Sequence, residues 1–291
     1  MLAMNRPALF VSDLDGTLLQ PDGTLSSFSR EELCAFHREG IPVTVASGRA
    51  FSSIRRALGK ATVGLPMISS DGAMISEFGS PKPLFLFEMD RKELMRLHHE
   101  LKSSGFWPVL DIWDGRENFL CSDGPNTAAM EWYHHHKQAE EFYRWRFEPF
   151  GVLPDAWSVI SLTLLDTPER LLGLRGLVEE RFGQVFRTDY AVMNELEGGA
   201  ALWIQHRLAR KENALVELTR LLNLGPSPVV VFGDELNDLG MFGREWHAVA
   251  VENARPELKA KAREVIGHHS DDPVPRHVRR MLKLDWKVGL E

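Results

Sequence analysis

Apolar residues in this chain come in two arrangements: short unbroken runs that end in polar turns, and stretches where they recur every three or four positions. Leu9-Phe10-Val11, residues 42–46, residues 66–69 and Val229-Val230-Val231-Phe232 are of the first kind, and runs this short and this rich in β-branched side chains predict buried strands. The second kind begins at Ser29, where Glu32 stands three positions on as in a capping box; Leu33, Phe36 and His37 follow, and Gly40 supplies the stop. Phe51, Ile54 and Leu58 repeat the helical spacing. Lys211 opens a helix with Leu215, Leu218, Leu221 and Leu222 on one face, closed by Gly225 and Pro226. A helical start through Leu239, Met241 and Phe242, a run over 248–251, and helices over 256–262 and 274–282 complete the series. Strands and helices alternating in this way predict an α/β fold with a doubly wound, mainly parallel, Rossmann-like core sheet.

Between 81 and 193 the pattern changes. Trp107, Trp113, Trp132, Trp145 and Trp157 lie here, and helical stretches over 91–104 and 168–182 alternate with strand-like runs over 106–112 and 159–165. At 291 residues the chain is long enough for a second domain. The expected organisation is a core formed by 1–81 and 198–291, with an inserted α+β cap over 82–197. Pro81-Lys82-Pro83 is the expected entry hinge and 194–199 the exit, with the core resuming at the strand Ala201-Leu202-Trp203-Ile204.

The ends of the strand-like runs carry the candidate chemistry, since ligands collect at the carboxyl ends of strands in open α/β sheets. The first run leads into Asp13-Leu14-Asp15-Gly16-Thr17. Acids two positions apart on a strand project to one side, and keeping both ionised there calls for a cation or a raised pKa. Oxygen ligands of this kind suit magnesium. Asp22-Gly23-Thr24-Leu25 repeats the letters behind Pro21 without an apolar run, and reads as a turn. The second run ends in Ser47-Gly48-Arg49 before a helix, a geometry that aims N–H groups and a hydroxyl at an anion. Lys211 at a helix start works against the helix dipole, unless negative charge faces it. Gly233-Asp234-Glu235-Leu236-Asn237-Asp238, directly after the most strand-like run of the chain, supplies such charge.

Other features exclude more than they add. A net charge of −7 excludes a general nucleic-acid grip, and no apolar run reaches the roughly 20 residues of a membrane span. The first residues lack the apolar core of a secretion leader, and Cys34 and Cys121 are too few for a disulfide framework; a reducing cytoplasm is expected. Consecutive residues such as His134-His135-His136 point in different directions, so ligation is not expected there. The aromatic stretch 132–147 mixes Glu140 and Glu141 with Arg144 and Arg146, which suits packing within the insert better than a basic groove. Any exposed part of it would face the metal-bearing strand end and influence substrate choice.

Taken together, the segments at 13–17, 46–49, 211 and 233–238 resemble the four motifs, in order, of the haloacid dehalogenase-like phosphatases, in particular the Cof-type hydrolases with a large α/β cap. The resemblance implies a Mg²⁺-dependent phosphatase acting on a small phosphorylated metabolite, a sugar phosphate or similar, with no nucleic acid or membrane partner. Asp13 would be the nucleophile and Asp15 the acid and base. Asp13, Asp234 and the backbone carbonyl of Asp15 would hold the metal. Thr17, Ser47, Gly48, Lys211 and Asn237 would bind the phosphate, with Asp238 orienting Lys211 or the metal waters from behind. Asp71 departs from the asparagine of many relatives, and Ser270-Asp271-Asp272-Pro273-Val274 replaces a common C-terminal pattern. The alternatives are a phosphosugar mutase of the phosphomannomutase type and, more distantly, a non-enzymatic phospho-acceptor or binding module. The oligomeric state is left open.

Overall fold

The computed structural model describes residues 9–123, 127–150, 153–193, 196, 198–224 and 228–282. In chain order it begins with β1 (Leu9–Ser12), α1 (Ser27–Arg38), β2 (Val43–Val45), α2 (Phe51–Leu58), β3 (Met67–Ser69), β4 (Met74–Ser76) and β5 (Pro83–Leu86). There follow α3 (Arg91–Ser103), β6 (Val109–Trp113), β7 (Asn118–Ser122), α4 (Ala128–Lys137), β8 (Trp145–Phe147), β9 (Ser158–Asp166), α5 (Pro168–Phe182) and β10 (Phe186–Met193). Last come β11 (Gly199–His206), α6 (Lys211–Leu221), β12 (Val229–Gly233), α7 (Leu239–Phe242), β13 (His247–Ala250), α8 (Pro256–Lys259), β14 (Glu264–Val265) and α9 (Pro273–Met281). Two compact units result: one from 1–48, 57–72 and 211–291, the other from 49–56 and 73–210.

The first unit is built on a parallel sheet in the order β14-β13-β12-β1-β2, with a single parallel bridge from Ala46 to Ile68 of β3. Every residue of β1, β2 and β12 is buried, as expected of parallel strands covered on both faces. In β1, Leu9 to Ser12 pair with Val229 to Phe232, so the ends of β1 and β12 lie level. β1 has β2 on one side and β12 on the other, which makes its carboxyl end the switch point of the sheet. This is the α/β architecture expected from the sequence.

The second unit carries a six-stranded sheet in the order β10-β11-β9-β6-β7-β8, antiparallel except for the β7–β8 pair. Along β6 and β9, Leu110, Ile112, Leu162 and Leu164 join an apolar cluster with Leu97, Leu171 and Ile204. Asp111, Ser161 and Thr163 alternate with them and so occupy the other face. The strand expected to return the chain to the core is β11, and it is hydrogen-bonded between β10 and β9 in this second sheet. A short apolar run marks a buried strand but does not say which sheet it joins.

Three local expectations change. α1 starts at Ser27, and Ser26 is its N-cap, accepting from the Ser29 N–H. Ser29 and Glu32 do not form a capping box because tertiary partners take them. Ser29 Oγ donates to Asp272 Oδ1 at 2.8 Å, and Arg279 donates to Glu32. On α6, Leu221 is exposed although Ala214, Leu215 and Leu218 are buried. α8 spans only Pro256–Lys259, shorter than the helix expected over 256–262. Gly225 and Pro226, expected to close α6, lie outside the described residues, as do Met1 to Pro7 and part of the 194–199 exit segment. No helix among the described residues is long and apolar enough to cross a membrane.

Asp272 ties the two ends of the first unit together: its Oδ1 accepts from Gln20 Nε2 at 3.0 Å, Ser26 Oγ at 2.7 Å and Ser29 Oγ at 2.8 Å. Ser29 has no exposure to water, so its hydroxyl cannot turn to solvent once that acceptor is gone. Asp272→Ala is expected to lower unfolding free energy by about 2 kcal/mol, read from the urea midpoint.

Candidate active site

Three separate pieces of chain meet at the carboxyl end of β1. Asp13, the residue after that strand, donates its backbone N–H to Phe232 O at 3.0 Å and has its side chain almost buried. Lys211, the first residue of α6, has no exposure and donates Nζ to Asp13 Oδ1 at 2.6 Å and to Asp238 Oδ1 at 2.7 Å. Its position at a helix start, unfavourable by itself, is explained by these two carboxylates. Burial disfavours the ammonium, but the charges of Asp13, Asp238 and Asp71 outweigh it and hold Lys211 protonated far above its ordinary value. Asp238, also fully buried, uses Oδ2 to accept from the N–H groups of Asp234 at 3.0 Å and Glu235 at 3.3 Å. One carboxylate thus shapes the loop after β12 and aims the lysine.

Asp234 completes the group. Its Oδ1 accepts from Thr17 Oγ1 at 2.8 Å, and its backbone carbonyl accepts from Arg255 N–H at 2.8 Å. Burial, reinforced by the charge of Asp238, pushes its carboxyl up to about 6 against the Thr17 hydrogen bond. Asp13 is likewise raised, first by burial and then by Asp238 and Asp234, with Lys211 pulling the other way. Asp13, Asp234 and Asp238 each offer a carboxylate oxygen within 4.8 Å of the others. It is the one group of three metal-ligating side chains found among the described residues, and His134, His135 and His136 form none. An all-oxygen set of crowded acids fits a hard divalent cation such as Mg²⁺.

The other expected residues are placed as follows. Ser47 is buried at the end of β2, its N–H donating to Ile68 O at 3.0 Å and its carbonyl accepting from Asp71 N–H at 2.9 Å. Gly48 lies beside Asn237: a Cβ at Gly48 would be 3.8 Å from Asn237 Nδ2. Asn237 itself donates Nδ2 to Asp71 Oδ1 at 3.0 Å. Asp15 is exposed, and its carboxylate is outside the converging three. The Thr17 hydroxyl, expected at a phosphate, donates to Asp234 instead.

Two residues were missed from the sequence. Gly16 has φ of 72°, and a Cβ there would sit 2.3 Å from Asp234 Oδ2, so only glycine lets Asp234 approach the β1 loop. Asn253 donates to Gly16 O at 2.7 Å and accepts from His269 N–H at 3.1 Å, fixing that turn from across the unit. The positive φ of Gly16 could have been suspected from the glycine after the paired acids. Asn253 carries no local signal.

A family model described as haloacid dehalogenase-like hydrolase matches residues 10–277. A Mycoplasma genitalium protein is 39% identical over 266 residues, covering 90% of this chain and 93% of its own length. The HMP-PP phosphatase of Cronobacter sakazakii is 24% identical over 275 residues, 93% of this chain and 94% of that one. Among solved structures, a Thermotoga maritima protein superposes with a TM-score of 0.76 at 26% identity, covering 94% of this chain and 97% of its own.

The raised carboxyl of Asp234 has a consequence for stability. Its folded value of about 6 lies above the ordinary 3.8, so the folded chain binds more protons than the unfolded one between these pH values. Stability contributed by this group therefore falls as pH rises through that window. Asp234→Asn is expected to raise the melting temperature of chelator-treated protein above pH 6 and to leave it near the wild-type value at pH 4.

Proposed function

The chain belongs to the haloacid dehalogenase-like hydrolases, and from that premise we propose that it is a Mg²⁺-dependent phosphatase of the Cof type that hydrolyses a small phosphorylated metabolite through an aspartyl phosphate on Asp13. The observation that carries the reading is the buried Lys211 ammonium held between Asp13 and Asp238, with Asp234 alongside. Such a site offers a carboxylate nucleophile, a fixed positive charge for phosphoryl oxygens and oxygen donors for a cation.

In the first step a carboxylate oxygen of Asp13 forms a bond to phosphorus as the ester oxygen–phosphorus bond breaks, and Asp15 gives its proton to the leaving alkoxide. In the second, Asp15 takes a proton from water as the water oxygen attacks phosphorus, releasing orthophosphate and restoring the Asp13 carboxylate. The exposure of Asp15, two residues past a buried nucleophile, supports its exchange of protons with substrate and solvent. Lys211, Ser47 and Asn237 hold the phosphoryl oxygens, with Gly48 leaving room for them. Thr17 serves the site by orienting Asp234. Asp13, Asp234 and the Asp15 carbonyl would hold Mg²⁺, which supplies charge that offsets repulsion between the carboxylate and the anionic substrate.

The second unit, centred on the expected 82–197 insert, is assigned to recognition of the leaving group. The naming of the Cronobacter sakazakii relative as a phosphatase favours transfer to water over return to a sugar hydroxyl, as a mutase would require. A cytoplasmic setting is supported by the two free cysteines.

Asp13→Asn is expected to lower turnover of an aryl phosphate by about a thousandfold or more. A variant that keeps a tenth of the wild-type rate overturns Asp13 as nucleophile. Asp234→Ala is expected to raise the Mg²⁺ concentration giving half-maximal rate by on the order of a hundredfold. An unchanged titration removes it from the metal site.

A further inference from the structure

We infer that Asp71 is a positioning residue of the phosphoryl site, which ties the Ser47 loop to the Asn237 side chain and weakens the grip of the site on phosphate. The inference rests on reading Ser47, Asn237 and Lys211 as phosphate contacts.

The turn after β3 is the first observation. Ser70, Asp71 and Gly72 have φ of 48°, 53° and 97° in succession, and all three are buried. Two consecutive side-chain-bearing residues in the left-handed region are strained, and such strain persists only where surrounding contacts enforce it. Aspartate and asparagine tolerate the conformation best, because their short polar side chains bond locally.

What the turn achieves is the second observation. With its backbone reversed, Asp71 directs its N–H at Ser47 O at 2.9 Å while its carboxylate accepts from Asn237 Nδ2 at 3.0 Å. Ser47 is already held on its other side by Ile68 O at 3.0 Å. One residue thus joins the loops that follow β2, β3 and β12. Asn237 is exposed, and its carboxamide would otherwise sample several rotamers. Giving one N–H to Asp71 fixes the plane of the amide and leaves the second N–H for a ligand.

Charge is the third. Asp71 lies close enough to Lys211 for its negative charge to act on the ammonium, alongside Asp13 and Asp238. A phosphoryl group shared by Ser47, Asn237 and Lys211 therefore meets a carboxylate that orients one of its donors and repels the anion itself. An asparagine here would keep the acceptor oxygen and lose the repulsion. The choice of acid favours escape of orthophosphate over its retention.

Two substitutions separate the parts. Asp71→Asn keeps the acceptor and suits the left-handed backbone but removes the charge; Asp71→Ala removes both. Orthophosphate is titrated calorimetrically into the full chain with Mg²⁺, and kcat and KM are measured with an aryl phosphate. The asparagine variant is expected to bind orthophosphate about three- to thirtyfold more tightly than wild type, with KM falling in parallel. The alanine variant is expected to lose about tenfold in kcat relative to the asparagine variant. Orthophosphate affinity that is equal or weaker in Asp71→Asn overturns the inference, as does equal kcat in the two variants. Hydrolysis by the wild type together with either of those results rejects Asp71 alone. A wild type that hydrolyses no phosphate monoester, yet binds orthophosphate more tightly as Asp71→Asn, rejects the hydrolase reading and leaves the assignment of Asp71 standing.

Discussion

The arrangement of side chains at the carboxyl end of β1 depends on one buried ammonium. Lys211 has no contact with water, and a charge so placed costs several kcal/mol unless neighbours replace its hydration. Asp13 and Asp238 do so at 2.6 and 2.7 Å. Neither carboxylate is near the lysine in sequence. They reach it because β1 and β12 pair in parallel with Ser12 opposite Phe232, so that the residues following both strands emerge at one level. Assembly of the sheet and assembly of the site are a single event.

The same cluster works against the stability of the fold. Burial and mutual repulsion raise the carboxyls of Asp13 and Asp234, Gly16 leaves a flexible position in a turn that could otherwise be stiffer, and Ser70 and Asp71 sit in left-handed backbone. These unfavourable contributions gather at the carboxyl ends of β1, β2, β3 and β12 and are offset elsewhere. Fully buried strands provide compensation, and polar ties between other segments add to it. Asp272 gathers three donors from the start of the unit, and Arg279 spans Glu32 and Glu39 between α1 and α9. A cation among the acids would relieve part of the repulsion, so binding and folding are linked.

Legibility in the sequence varied with the range of the interaction. The core strands could be read because burial on both faces leaves an apolar run, and the segments of Asp13, Ser47 and Asp234 stood out because polar residues directly after such runs fall at a strand end. Lys211 could be noticed as a basic residue at a helix start. Less could be read where a residue serves a distant partner. Ser29 and Glu32 have the spacing of a cap, but Asp272 and Arg279 claim them. β11 is an apolar, almost wholly buried run like the core strands, and only its hydrogen bonds to β9 and β10 assign it to the second sheet. The hydroxyl of Thr17 is turned to Asp234, and Asn253 holds the Gly16 carbonyl from more than two hundred positions away.

The sequence by itself determined the alternation of strands and helices, the family resemblance and which segments end in acids, because these follow from local periodicity and backbone preference. Only the tertiary structure decided which oxygen faces which nitrogen: that Asp238 aims Lys211, that Asp71 turns Asn237, that Gly16 must admit Asp234. Those outcomes depend on a few ångströms between chain segments far apart in order, and strand register and loop packing set that spacing once the whole sheet has formed.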